Sequence, residues 1–299
     1  MIDLNAKGDL KEGPSKIVYS TVINCWAKSD LPESPQRARD ILESMIHHYQ
    51  NGIEEVRPNT ITYNSVLDAY ARQGHTNGAT EILKMMEDDF DAGNIDAIVD
   101  LRTYNILIDT WSKSLNPIAP QEAEKLIEKM TKHNINPTTI SYTGVINAFG
   151  KSSLPDSHHR ALAILEDMAS KANAGNEDVR PNKITYNSVI DAFARKQDAE
   201  GANNVWMMME KDYKSGNAGA KPDLTTYNTL MNAWSRSKSE EAHVEAEKIF
   251  ATMRLRFESG DLDEPPNDST YNFLLACLED VAGTEERIHD LLTKRKRLR

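Results

Sequence analysis

The sequence predicts an all-α fold, an α-solenoid of stacked helix–turn–helix repeats, and three observations lead to this class. A short segment recurs seven times, and the tyrosines of its copies lie 38 to 44 residues apart. Each copy is followed by a second amphipathic segment. The sustained period-two alternation of β-strands does not occur. Repeats of this length, each forming one supersecondary unit, are typical of solenoids.

The first helix of each repeat is predicted from the recurring segment. In the second copy, Tyr63, Val66, Leu67 and Tyr70 are spaced as i, i+3, i+4 and i+7, which places them on one apolar helix face. The seven copies are VYSTVINCWAKS from Val18, TYNSVLDAYARQ from Thr62, TYNILIDTWSKS from Thr103, SYTGVINAFGKS from Ser141, TYNSVIDAFARK from Thr185, TYNTLMNAWSRS from Thr226 and TYNFLLACLED from Thr270.

The second helix of each repeat is predicted from the amphipathic segment that follows, such as GATEILKMMEDDF or PQEAEKLIEKM. A single hairpin of two such helices cannot bury its apolar face, so neighbouring hairpins must stack to bury it. We therefore expect a leader over residues 1–16 with little structure. Residues 17–299 are then expected to form a single array of six complete repeats and a partial seventh.

Composition limits the classes of protein to which the chain can belong. It has 299 residues, a formal net charge of −11 and 39% hydrophobic residues, which is a globular composition. No segment approaches the ~18 consecutive apolar residues of a membrane span, and no signal or transit peptide is recognised at the start. The acidic total argues, at first, against a nucleic-acid partner.

The two cysteines, Cys25 and Cys277, are too few for a disulfide framework, which favours a reducing compartment. Both occupy a position of the first helix that holds Ala or Thr in the other copies. We therefore expect both to be compact packing residues where helices approach closely.

A polar stripe recurs along one face of the first helices. Its three positions are spaced as i, i+4 and i+8, so they lie on one side of a helix. The residue after each tyrosine is small and polar: Ser20, Asn64, Asn105, Thr143, Asn187, Asn228 and Asn272. The next position holds Asn24, Asp68, Asp109, Asn147, Asp191, Asn232 and Ala276. The third holds Lys28, Arg72, Lys113, Lys151, Arg195 and Arg236, and then Asp280 in the last copy.

For one helix this stripe is most simply a solvated face, with Asp68 and Arg72 forming an ordinary i,i+4 ion pair. A solvated face does not require Asn, Ser or Thr at one position seven times, or a cation at another six times. Across the whole array the stripe therefore indicates a surface that binds a ligand.

Motifs of catalysis, metal binding and cofactor binding are absent from the sequence. There is no Walker loop, no GxSxG elbow and no HxE…PCxxC deaminase motif. The pairs His47–His48 and His158–His159 have no Cys or carboxylate partners at ligand spacing. We expect no catalytic residues, no metal site and no cofactor, and so no enzyme.

One block recurs through the chain, TYN-x-L/V-I/L-D/N-A-aromatic-x-K/R, and many of its units close with M-x-x…R/K-P-N/D. This pattern resembles the pentatricopeptide repeat family of the plain type, without a catalytic extension. The resemblance runs from about Ile17 to the end of the chain. It implies a right-handed superhelix whose first helices line the concave side. It also implies that one repeat binds one nucleotide of single-stranded RNA.

The resemblance further implies which residues read the bases. In the family, the residue after the tyrosine acts with the closing residue of the repeat. The implied pairs are Ser20/Asn59, Asn64/Asp100, Asn105/Thr138, Thr143/Asn182, Asn187/Asp223 and Asn228/Asn267, with Asn272 as the reader of the partial repeat. By the family rules they read A-U-(C/U)-A-U-(C/U), with the third base the least determined.

Two further sets of contacts follow from the same resemblance. The residues expected to sandwich a base are Ile17, Ile61, Arg102, Ile140 and Ile184, with the weak clamps Thr225 and Ser269 at the equivalent places of the last two repeats. The residues expected to contact phosphates are Lys28, Arg72, Lys113, Lys151, Arg195 and Arg236.

The expected partner is thus single-stranded RNA, with other proteins as a second kind of partner and neither a membrane nor a small-molecule substrate. The resemblance implies a role in the processing, stability or translation of organellar RNA, in a mitochondrion or plastid. The alternative is a helical-repeat scaffold for protein–protein interactions, which the acidic charge favours.

Overall fold

The computed structural model describes residues 14–279 and 281–296, and these form fourteen α-helices and no strand. The predicted all-α helical-repeat fold is confirmed. The first helices of the seven hairpins are α1 Lys16–Ala27, α3 Thr60–Gln73, α5 Leu101–Lys113, α7 Thr139–Lys151, α9 Lys183–Arg195, α11 Leu224–Arg236 and α13 Asp268–Leu278. The second helices are α2 Ser34–Gln50, α4 Thr76–Asp91, α6 Ala119–Lys132, α8 Ser157–Asn173, α10 Ala199–Lys214, α12 Ala242–Glu258 and α14 Glu285–Lys296.

The chain divides into two compact units, Met1–Ala148 and Phe149–Arg299. In the first unit, α1 packs on α3 and α3 packs on α5, so consecutive first helices lie side by side. Each second helix packs on its own first helix, and α2 and α4 also pack on the first helix of the next hairpin. The apolar face that one hairpin cannot bury alone is thus covered by its neighbour, as the repeat pattern predicts.

The second unit repeats this arrangement. Here α9 packs on α11 and α11 on α13, while α8, α10 and α12 each pack on the first helix that follows them. The seventh repeat, expected to be partial, has both of its helices, α13 and α14. Of the expected leader, residues 1–13 lie outside the described part, and α1 begins at Lys16, one residue earlier than expected.

None of the helices in the described residues combines the length and the apolar character that crossing a bilayer requires.

Most first helices begin directly after an Asn or Asp that caps them. Asp100 Oδ1 accepts the backbone N–H of Thr103 at 2.8 Å, and Asp223 Oδ1 accepts that of Thr226 at 3.0 Å. Asn59, Asn182 and Asn267 cap α3, α9 and α13 in the same way. These side chains satisfy N–H groups that the helix itself leaves without partners. The closing residue of a repeat is therefore also the N-cap of the next first helix.

Five of the recurring tyrosines tie a first helix to the end of its own second helix. The hydroxyl of Tyr63 donates to Asp89 at 2.9 Å and that of Tyr186 donates to Asp212 at 3.0 Å, 26 residues further along in each case. The other resolved pairs are 29 residues apart: Tyr19 with His48, Tyr104 with His133 and Tyr227 with Arg256. The connectors of the second and fifth repeats are three residues shorter, so the partner occupies the same place in these five hairpins.

The cysteine prediction is correct for one residue and wrong for the other. Cys277 is buried, and burial raises the pKa of its thiol to about 11. Cys25 is exposed. It lies on α1, the first described helix, which packs chiefly on α2 and α3. In later repeats a preceding first helix covers the equivalent face, as for Ala69, which is only 2% exposed.

Candidate nucleic-acid interface

Four exposed isoleucines mark one edge of the first helices. Ile17, Ile61, Ile140 and Ile184 each lie in the first turn of a first helix, and between 61% and 76% of their surface is exposed. Large aliphatic side chains are usually buried, so an apolar residue left exposed at the same point of four repeats indicates contact with a ligand. These are the residues that the sequence analysis assigns to base sandwiching.

Arg102 occupies the equivalent position in the third repeat. Its Nη2 donates to Asp68 Oδ2 at 3.1 Å, and the side chain is 64% exposed. The carboxylate of the preceding repeat therefore anchors one edge of the guanidinium and leaves the planar face to solvent. Thr225 and Ser269, the weak clamps, are likewise exposed and offer little apolar surface.

Three of the asparagines predicted to read bases have a fixed amide orientation. Oδ1 of Asn64, Asn105 and Asn228 accepts the hydroxyl of Thr103, Ser141 and Thr270 at 2.9, 2.7 and 2.7 Å, respectively. In each case the hydroxyl belongs to the next first helix. Because the carbonyl end of the amide is occupied, the NH2 end is turned towards the closing residue.

Two of the predicted reader–closer pairs are in direct contact. Asn64 Nδ2 lies 3.4 Å from Asp100 Oδ1, and Asn228 Nδ2 lies 3.3 Å from Asn267 Oδ1. In the third pair, Asn105 and Thr138 meet through Ser141, whose hydroxyl donates to Asn105 and accepts the backbone N–H of Thr138 at 3.2 Å. The structure thus brings together residues that are 33 to 39 positions apart in the sequence.

The remaining pairs are different. No hydrogen bond joins Ser20 to Asn59 in the described residues. Asn187 and Asp223 are not bonded to each other: Asn187 Oδ1 is buried with no partner, and Asp223 Oδ2 pairs with Lys183 Nζ at 3.0 Å.

The last two predicted readers lie in the fourth and seventh repeats. Thr143 is buried in the first unit, and its closing residue, Asn182, caps α9 in the second unit. Asn272, the reader of the seventh repeat, is exposed.

The predicted reader Asn105 and the predicted sandwiching residues of the third and fourth repeats share one cleft. Arg102, Asn105 and Ile140 line a depression of about 510 Å³, together with Asp100 and Asp109. A planar group entering it would meet an apolar side chain, a guanidinium and the edge of an amide. This combination suits a nucleobase, which needs stacking on its face and hydrogen bonds along its edge.

The six cations at the end of the first helices are all exposed. A cleft of about 500 Å³ in the first unit brings together Lys28, Arg72, Arg102 and Lys113, and the only acids on its walls are Asp68 and Asp109. The local charge is therefore positive, opposite in sign to the total of −11.

The predicted i,i+4 pair of Asp68 with Arg72 is wrong. Arg72 lies 3.7 Å from Asp30, and Asp68 pairs with Arg102. Lys113 with Asp109 and Arg195 with Asp191 do form i,i+4 pairs, at 2.6 and 2.7 Å. Asp280, at the equivalent place in the last copy, lies outside the described residues.

The hydroxyl residues two positions before the predicted readers of the second to seventh repeats were missed by the sequence analysis, and the first repeat has Val18 there. They bond to the cap of their own helix and, in three repeats, to the reader of the preceding one. The signal was present as a recurring Asn/Asp-x-x-Thr pattern, which is typical of a helix N-terminus.

Models of one protein family match three segments of the chain. A pentatricopeptide repeat domain matches residues 163–236, a PPR repeat family model matches residues 99–151, and a PPR repeat matches residues 54–87. Together these segments cover more than half of the chain.

Curated relatives carry the same repeat. Two pentatricopeptide repeat-containing proteins of Arabidopsis thaliana are 26% identical over 133 residues and 28% identical over 162 residues; the second is named as chloroplastic. The matches cover 44% and 53% of this chain but 21% and 18% of the relatives, so the chain spans about a fifth of their length at most.

Solved structures share the fold. The pentatricopeptide repeat protein PPR10 from maize matches 94% of this chain and 34% of its own, with a TM-score of 0.58 and 22% identity. PPR10 in complex with an 18-nt psaJ RNA element matches 98% of this chain and 39% of its own, with a TM-score of 0.60 and 23% identity. Family models, relatives and fold agree, and the chain belongs to the pentatricopeptide repeat family.

Proposed function

We propose that this chain binds single-stranded RNA and reads one base with each repeat. The observation that carries the proposal is the contact of the pairs Asn64/Asp100 and Asn228/Asn267, which bring a fixed amide to a carboxylate or a second amide. The similarity to PPR10, which was solved in complex with RNA, supports the same function.

In this proposal each base enters between two sandwiching residues. The exposed faces of Ile61 and Arg102, and of Arg102 and Ile140, supply the stacking surface, and the reader amide donates to an acceptor on the base edge. Every hydrogen bond to Asp100 within the described residues ends on Oδ1, so Oδ2 is available to accept the N3–H of uracil. By the family rules the proposed core is A-U-Y-A-U-Y.

In this proposal the repeats contribute unequally to base selectivity. Thr225 and Ser269 give the sixth and seventh repeats little stacking surface, so we assign most of the selectivity to the first five. The six cations from Lys28 to Arg236 are assigned to the phosphates, where they add affinity without selecting a base.

Because the chain spans about a fifth of its relatives, the function of the whole protein is also a proposal. A role in the processing, stability or translation of an RNA in a plastid or mitochondrion is supported by the chloroplastic names of two relatives.

The test is a binding titration of the full chain with RNA that contains AUYAUY, and with the same nucleotides in scrambled order, over a series of salt concentrations. We expect preference for the ordered RNA. Six phosphate contacts predict a slope of log K against log salt concentration of about −4. Absence of binding at low salt, or equal binding of both RNAs, would contradict the proposal.

A second candidate function is a scaffold for protein partners, and one observation favours it. Second helices α10 and α12 carry a groove of about 820 Å³ lined by Trp206, Met207 and Arg256, and Met207 is 50% exposed. Failure to bind RNA, combined with retention of a protein partner by this face, would support it.

A further inference from the structure

Three side chains that commonly bind metal ions meet in the second unit, on the second-helix side of the hairpins. His158 and His159 lie in the first turn of α8, and Asp198 is the N-cap of α10 in the next repeat. One potential ligand atom from each lies within 4.8 Å of the other two, and His158 Nε2 is 4.0 Å from Asp198 Oδ2. The sequence search missed Asp198 because it becomes a neighbour only when the two repeats stack.

The polar atoms of this cluster are incompletely satisfied. His158 is only 8% exposed, and its Nδ1 is buried without a hydrogen-bond partner. A buried ring nitrogen left in this way is uncommon in folded proteins. Asp198 uses Oδ1 to cap α10, accepting the N–H of Gly201 at 2.8 Å, which leaves Oδ2 on the side of the histidines.

The histidine rings are held by packing. The centroids of His158 and His159 are 4.0 Å apart, and both rings contact the face or edge of Phe193 at 4.9 and 5.6 Å. Burial also lowers the pKa of the His158 imidazole.

The other pair of adjacent histidines, His47–His48, has no buried ring nitrogen without a hydrogen-bond partner. In α2, His48 Nδ1 pairs with the hydroxyl of Tyr19 at 2.6 Å, and His47 Nε2 pairs with Asn51 Nδ2 at 3.0 Å. In the described residues no carboxylate completes a metal-binding group with His47 and His48. Adjacent histidines alone therefore do not create the arrangement at His158.

We propose that His158, His159 and Asp198 bind one divalent cation of the zinc class and so link the fourth and fifth repeats. Two imidazoles and one carboxylate form a ligand set that suits Zn²⁺, Co²⁺ or Ni²⁺ better than Mg²⁺ or Ca²⁺, which prefer oxygen. Bond lengths of about 2.0 Å place ligand atoms about 3.3 Å apart in a tetrahedral site. Metal binding therefore has to shorten the 4.0 Å between His158 Nε2 and Asp198 Oδ2 and draw in the exposed ring of His159, and water completes the coordination.

The ligands come from α8 and from the turn before α10, so the ion would join two hairpins. A ligand that binds only the folded state stabilises it in proportion to the logarithm of its concentration. This proposal does not depend on the proposed RNA binding.

The experiment is a calorimetric titration of the full, EDTA-treated chain with ZnCl2, repeated with CoCl2 by absorption spectroscopy. We expect one equivalent of zinc to bind, a visible Co²⁺ spectrum of nitrogen and oxygen ligation, and a higher thermal midpoint with zinc. Asp198→Asn retains the helix cap and His159→Ala lies on the surface, so both variants are expected to fold. Each should weaken zinc binding by about tenfold or more.

The matched control is the double variant His47→Ala/His48→Ala, which should bind zinc like the unaltered chain. The proposal is overturned if the unaltered chain binds no zinc. It is equally overturned if Asp198→Asn and His159→Ala retain full affinity, or if the control variant loses it.

Discussion

At the scale of single residues, the two Asn/Asp reading pairs have different neighbours although their residue types are identical. Asp100 receives hydrogen bonds only from Thr103 and Asn64 in the described residues. Asp223 pairs through Oδ2 with Lys183. Uracil offers an N3–H to a free carboxylate oxygen, whereas an ammonium group on that oxygen can instead donate to the N3 of cytosine. If the repeats read bases as proposed, Lys183 is expected to weaken the ability of the fifth repeat to reject cytosine.

The variant Lys183→Thr tests this difference. We expect its preference for U over C at the fifth base to rise by roughly fivefold to tenfold, the equivalent of about 1 kcal/mol. The measurement is competition binding with RNAs that differ only at this base. Preference at the second base, read by Asn64 and Asp100, serves as the internal control and should not change. An unaltered preference at the fifth base would show that Lys183 has no part in selection.

The closing residues have two roles, and this restricts the residue types that can occupy their positions. Asp100 caps α5 and also lies against the reader Asn64. Asn, Asp, Ser and Thr are among the side chains that can both cap a helix and present a hydrogen-bonding group. We expect Asp100→Ala to destabilise the first unit by about 1 kcal/mol, whereas Asp100→Asn should change its stability by less than about 0.5 kcal/mol. Urea denaturation of the two variants measures the difference, and equal loss in both would refute the capping role.

Several residue-scale features could not be predicted from the sequence. The exposure of Cys25 depends on which helix covers α1, and the pairing of Asp68 with Arg102 depends on the distance between neighbouring first helices. The positions assigned to clamps and readers could be picked out from the sequence, because a repeat presents the same position many times and makes its residue type conspicuous. Contacts particular to one repeat, such as Lys183 with Asp223, have no such repetition.

At the scale of helices, the recurring tyrosine is the anchor of the hairpin. In the second repeat Tyr63 donates to Asp89, and Asn94 Nδ2 donates both to Asp89 at 2.6 Å and to the carbonyl of Pro58 at 3.0 Å. Tyr186, Asp212, Asn217 and Pro181 form the same network in the fifth repeat. Burial of Tyr63 beside Asp89 raises the pKa of its hydroxyl well above the usual range, so it remains a donor.

Removal of this hydroxyl should be costly. Tyr63→Phe leaves the buried carboxylate of Asp89 with one donor fewer, and we expect a loss of about 1–3 kcal/mol in the free energy of unfolding. Tyr213, whose hydroxyl makes no hydrogen bond in the described residues, provides the control, and Tyr213→Phe should change stability by less than about 0.5 kcal/mol. Chemical denaturation followed by circular dichroism compares them. Equal stability of the two variants would contradict the anchoring role.

The helices themselves were predicted well, because apolar residues at helical spacing identify both members of each hairpin. The second helices vary in length, with 17 residues in α2, α8 and α12 and 14 in α6. The cluster of His158, His159 and Asp198 was missed because its members lie in different repeats.

At the scale of the whole molecule, charge is divided between the two kinds of helix. Acids on the second helices form ion pairs between neighbouring repeats, such as Lys129 with Glu87 and Arg287 with Glu247. The first helices display the six exposed cations. The total of −11 therefore does not describe the face to which we assign RNA.

This division predicts how single charges contribute to binding. Lys28 makes no ion pair in the described residues. Lys28→Gln should weaken the binding of all RNAs alike and reduce the slope of log K against log salt concentration by about 0.7. Lys125, on α6, is 66% exposed and pairs with Glu122. Lys125→Gln is the control and should leave the slope unchanged. Identical salt slopes for the two variants would mean that the RNA phosphates do not contact Lys28.

The central claim is that each repeat reads one base through its reader and its closing residue. The most direct measurement is selection of RNA from a random pool by the double variant Asn64→Thr/Asp100→Asn, which gives the second repeat the same pair as Thr143/Asn182. We predict that the second base changes from U to A while the other positions keep their preference. A second base that remains U, or a change of preference at another position, would contradict the account.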